Sequence, residues 1–219
     1  MRTNPPTLKQ TTRWSPTSTL KMMVATLFGG AALAACTSAD PDPQDAFFES
    51  LLAHCGNAYA GSVTAGDEAL DADWMAADII IEIRECSEER IRIPLHVDDD
   101  HSRTWVLTRT QAALTLKHDH RERDGSHDAM TMYGGETFSP GTAMAQSFPA
   151  DEESKLLFSE LGSTASIGNT WWLEFPNEET LRYRLVRDNR EFQVDVDLSQ
   201  PVPAPPAPWG WEDNYQYRD

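Results

Sequence analysis

From Asn57 onward the chain alternates apolar and polar residues in short runs, the period-two signature of strands with one face buried. Ile79, Ile81 and Ile83 alternate with Ile80, Glu82 and Arg84, and Ile91, Ile93, Leu95 and Val97 alternate with Arg92, Pro94 and His96. Ser87-Glu88-Glu89 lies between these runs, so they are expected to pair as a hairpin, with Pro94 marking a bulge or an edge. Further strands are predicted over 59–64, 104–108, 142–148, 170–175, 181–186 and 191–196, with a helical turn within 67–76 and a short helix over 150–161. Asp188-Asn189 makes the tight turn between the last two strands.

Ahead of the strands the period changes. Phe47, Phe48, Leu51, Leu52 and Cys55 recur at helical spacing, Asp42 is placed to cap, Pro43 to occupy the first helical position, and Gly56 to stop the helix. Its apolar face is expected to plug a core. About ten antiparallel strands without a long βαβ crossover predict an all-β fold, an antiparallel meander forming a β-barrel over residues 43–198 with a short N-terminal helix.

Residues 114–135 carry three of the six histidines. If Arg123-Asp124-Gly125 form a three-residue loop, His120 faces Asp128, His118 faces Met130 and Leu116 faces Met132. One face then collects Leu114, Leu116, His118, His120, Asp128, Met130 and Met132, and the other, with Lys117, Asp119, His127 and Tyr133, is left for solvent. Two histidines opposite a carboxylate can orient an imidazole, share a proton or hold a metal; they can equally be hydrogen-bonded histidines at a sheet rim. No zinc or copper spacing motif accompanies them, and no cofactor is expected.

Residues 1–35 combine a basic leader (Arg2, Lys9, Arg13, Lys21) with an apolar run too short to span a bilayer, the pattern of an export signal. Leu33-Ala34-Ala35-Cys36 resembles the lipobox of bacterial lipoproteins, which implies cleavage before Cys36, acylation there and a tether over 36–42. Thr37 rather than an aspartate follows, so the resemblance implies a lipid-anchored protein of the cell envelope, at the outer membrane of a Gram-negative bacterium. The leader holds four of the 18 Lys and Arg and none of the 35 Asp and Glu, leaving 14 basic against 35 acidic residues, a formal charge of −21. Nucleic acid is a poor partner for such a chain, and the membrane is met through the anchor.

With Cys36 given to lipid, Cys55 and Cys86 remain as an even pair and are expected to form a disulfide in an oxidising compartment. Asp98-Asp99-Asp100-His101 lacks the alternating ligands and closing Glu of a calcium loop and reads as a solvated turn. The serines of 163–166 sit in no Gly-x-Ser-x-Gly elbow. Residues 199–219 form a Pro-rich tail whose prolines lead to Trp209-Gly210-Trp211; it favours extended polyproline conformation and is expected to dock on its own domain.

The order of helix, a strand from Gly56-Asn57-Ala58-Tyr59 and a meander of hairpins resembles the calycin group, whose best-known members are lipocalins; Ala58 stands where their Gly-x-Trp signature has Trp. Phe47-Phe48-Glu49-Ser50-Leu51-Leu52-Ala53-His54-Cys55-Gly56, Ser102-Arg103-Thr104-Trp105-Val106, Leu116-Lys117-His118-Asp119-His120-Arg121 and Met132-Tyr133-Gly134-Gly135 resemble a family of uncharacterised bacterial secreted proteins, which implies no activity. Three functions stay open. The first is a barrel that binds a small, partly apolar molecule through His118, His120, Asp128, Met130 and Met132. The second is a filled barrel acting through its surface, and the third an enzyme using the histidines as acid-base or metal-binding groups.

Overall fold

The computed structural model describes residues 41–211. The leader, Cys36 and most of the tether lie outside the described residues. Helix α1 (Pro43–Leu52) starts as its sequence requires: the Asp42 side chain accepts the Gln44 N–H at 2.8 Å, with Pro43 in the first turn. The strands are β1 (Ala58–Ala65), β2 (Ile79–Glu82), β3 (Glu85–Cys86), β4 (Arg90–Val97), β5 (Asp100–Arg109), β6 (Leu114–His120), β7 (Tyr133–Glu136), β8 (Ala145–Pro149), β9 (Thr170–Asn177), β10 (Thr180–Arg187) and β11 (Arg190–Val202). A five-residue helix, α2 (Ala72–Ala76), separates β1 from β2, and α3 (Glu152–Glu160) follows β8.

All pairings are antiparallel, in the order β7-β6-β5-β4-β2-β1-β11-β10-β9-β8, with β3 on β4. The expected meander barrel with a short N-terminal helix is therefore what the chain forms. The first and last long strands pair (Val63 opposite Val194), so the seam falls between β7 and β8. There the Asp151 N–H donates to the Gly134 carbonyl at 2.9 Å. The Ser154 hydroxyl at the start of α3 accepts the Gly134 N–H (2.7 Å) and donates back to its carbonyl (2.9 Å). One buried side chain thus stands in for a missing neighbour strand. Gly135 lets the seam close, since a Cβ there would overlap the Pro149 carbonyl.

Pro94 is not on an edge strand. It faces the gap where β2 has ended at Glu82 and β3 has not yet begun, so its missing N–H leaves no ladder bond broken, and a register shift follows between Leu95 and Val97. β11 runs on to Val202, so the barrel takes residues 199–202 that the sequence assigns to the tail.

Inward residues fill the barrel from one end only. At the end where β5 finishes and β6 begins, Phe47, Phe48 and Leu51 of α1 are fully buried, with Phe47 5.3 Å from Phe175. Burying each contributes about 1.5–3 kcal/mol. Arg109 ties β5 to Glu49 of α1 at 2.8 Å. The Cys55–Cys86 disulfide, with Cα atoms 6.3 Å apart, pins the chain after α1 to β3.

The tail lies on the outside of the barrel. The Trp209 N–H donates to the His101 carbonyl at 3.0 Å, and Trp211 lies under the Arg92 guanidinium (4.1 Å) and near that of Arg121 (4.9 Å). Residues on this outer face, His96, Thr104 and Asp119 among them, are accordingly almost wholly buried although they point away from the barrel axis.

Candidate functional site

The end opposite α1 is hollow. Outward from the packed layer of Trp105, Trp171 and Tyr183, a cavity of about 200 Å³ opens to the surface. Its floor is aromatic: Trp105 stacks on Tyr183 at 4.5 Å and 10°, and His118 stacks on Tyr133 at 4.8 Å and 10°. Leu95, Leu185 and Val194 complete the walls. Over the mouth lies Trp74 of α2, edge-on to Phe192 at 5.4 Å, held because Asp71 at the N-cap receives both arms of Arg190 at 2.5 and 2.6 Å.

His118 is buried by the register of β6, whose odd-even pattern turns Leu114, Leu116 and His118 inward. Its Nδ1 meets the Tyr133 carbonyl at 3.2 Å, and since a carbonyl only accepts, Nδ1 carries the proton. Nε2 then accepts the Tyr183 hydroxyl at 3.1 Å. Burial pushes this imidazole down to about 3, with His120 nearby adding to the effect. His120, at the mouth, is pushed down to about 4, first by burial and then by the positive charge of Arg103. Its Nε2 lies 3.2 Å from the Tyr133 hydroxyl, and that phenol is pushed up to about 12 by burial. Both histidines are therefore neutral near pH 7. His118, with both nitrogens engaged, has no free lone pair for a metal. Among the described residues no three His, Cys, Asp or Glu side chains are grouped to hold one.

Of the residues the sequence nominates, His118 and His120 line the cavity, whereas Asp128, Met130 and Met132 do not. The expected register holds at the turn, where Arg121 bridges His127 and the Asp128 N–H reaches the His120 carbonyl at 3.0 Å. Beyond it three extra residues intervene. The Asp128 carboxylate accepts the Met130 N–H, Met132 adopts φ 56°, and pairing resumes with Tyr133, not Met130, opposite His118. Asp128 stays close enough to His120 to favour its protonated form, Met130 packs half-buried on the core, and Met132 is exposed. Tyr133, expected outside, lies in the cavity wall. Lys117, on the outer face, pairs with Asp151 at 2.7 Å.

Arg103, like Asp71, Trp74 and Arg190, lines the cavity although no motif marks it. It shares the parity of Trp105 and Leu107 on β5, and that alternation is the signal that places it inward. Its Nη1 binds Asp100, and its guanidinium lies 5.1 Å from the Trp74 ring. No known protein family, curated protein or solved structure matches this chain.

Proposed function

We propose that this protein is a lipid-anchored β-barrel of the bacterial cell envelope that binds a small, partly apolar molecule at its open end. The observation that carries the reading is the half-filled barrel. One end is packed and plugged by α1, while the other keeps a cavity of about 200 Å³ with aromatic walls and a few convergent polar groups. That composition suits ligand pockets, and the volume lies below the roughly 300–1,000 Å³ of drug-sized sites, so the occupant is small. The anchor rests on Leu33-Ala34-Ala35-Cys36, and the placement at an outer membrane on Thr37 after it. The resemblance to secreted bacterial proteins agrees with export.

Native mass spectrometry of the protein exported to a Gram-negative periplasm, with Cys36→Ser to keep it soluble, tests the ligand. A co-purifying small mass is expected, and it should be absent when Leu185→Trp fills the cavity; a bare mass for both proteins argues for a barrel acting through its surface. Labelling with radioactive palmitate tests the anchor: label on the wild type and none on Cys36→Ser is expected, and an unlabelled wild type sinks the anchor.

A further inference from the structure

The hydrogen-bonding groups at the cavity are unevenly used. Each acid at the mouth is already satisfied: Asp71 accepts both arms of Arg190 and the Asp67 N–H, and Asp100 accepts from Ser102 and Arg103. The His118 nitrogens are taken by Tyr133 and Tyr183. Arg103 is different. One arm binds Asp100, and among the described residues no protein acceptor meets its Nε or Nη2. A partly buried guanidinium with spare donors is a recognition group for a planar, two-oxygen anion, because its fork matches a carboxylate. Trp74, whose ring lies under the guanidinium, lines the cavity with Trp105 and Tyr133, and such aromatic walls favour a ring.

We propose that the cavity selects a small aromatic carboxylic acid, its carboxylate held by Arg103 and its ring lying among the aromatic walls. This rests on the reading of the cavity as a ligand site. The acidity of the chain as a whole does not decide against it, since at physiological salt charges farther than about 8 Å are largely screened while the Arg103 donors act at contact. The neutral histidines add no competing positive charge, so selectivity resides in one side chain.

Isothermal titration of the Cys36→Ser protein with 3-phenylpropanoate and with 3-phenylpropanamide, near-identical in shape and different in charge, provides the test. The acid is expected to bind at least about tenfold more tightly, the scale of one charge-assisted hydrogen bond. Its affinity should fall with added salt while that of the amide holds, a result read on the unmutated cavity. Arg103→Gln should level the two probes and Arg103→Lys should retain part of the preference, with thermal melts reporting whether each variant is folded. Equal binding, or tighter binding of the amide, overturns the carboxylate assignment and leaves the cavity reading standing. If neither probe binds up to millimolar concentration, the assignment fails; if native mass spectrometry is also bare, the cavity reading falls with it.

Discussion

The Ser154 hydroxyl holds both backbone groups of Gly134, accepting the N–H at 2.7 Å and donating to the carbonyl at 2.9 Å. A strand neighbour normally supplies both bonds; here one side chain at the start of α3 does so and closes the barrel. Ser154→Ala leaves the buried Gly134 N–H without a partner and its carbonyl with the Asp151 N–H alone, and is expected to cost about 1–3 kcal/mol in urea unfolding. Amide exchange at Gly134 and Asp151 should quicken while that of β1 and β11 is unchanged. Gly135→Ala forces a methyl into the Pro149 carbonyl and is expected to cost more than Ser154→Ala.

Acid should weaken the fold before carboxylates titrate. His118 is held down to about 3, and His96 and His120 to about 4, against an unfolded value of about 6.5. Each is neutral in the folded chain while its unfolded counterpart takes a proton, so their contribution is full above about pH 6.5 and is lost as pH falls toward 4 and 3. For the buried His118 the slope is about 1.4 kcal/mol per pH unit, or about 2 kcal/mol between pH 6.5 and 5. Urea midpoints measured across this range should drop accordingly, and less steeply in His118→Gln. A flat profile for the wild type contradicts the buried neutral state.

Replacing Cys55 and Cys86 together with Ser releases a loop spanning 31 positions. The chain-entropy model puts the loss at about 3–4 kcal/mol, visible as a lower urea midpoint. The unfolding slope should rise if the denatured chain expands as that model requires.

The tail contributes to the barrel rather than trailing from it. Trp211→Ala removes the ring shared by Arg92 and Arg121 and is expected to cost about 1–3 kcal/mol. Cutting the chain after Val202 should cost more and raise amide exchange in β4 and β5, whose outer faces carry the buried His96 and Thr104.

Much of the barrel is written in the alternation of β4, β10 and β11, because a strand with one buried face must repeat every two residues. The turn at Arg123-Asp124-Gly125 was legible for the same reason, with Gly125 at φ 85°. What failed was the return from it. An Asp128 side chain bonded to the backbone and a left-handed Met132 are tertiary choices with no strong local signature, and together they exchange two methionines for Tyr133 in the cavity. Arg103 was hidden because a charged side chain ordinarily faces water; the docking of Trp209 and Trp211 on their own domain was expected, and the proline-rich composition hid only the run of β11 on to Val202.

Pairing β1 with β11 also sets an order of events. The partner of Ala58–Ala65 is Arg190–Val202, so the earliest strand made waits for the latest, and no rim of the barrel can be sealed while the chain is still being delivered. Such distant pairing slows folding, because the loop must be closed before any contact repays it. A chain arranged this way stays open, and able to thread through a narrow passage, until its last strand arrives.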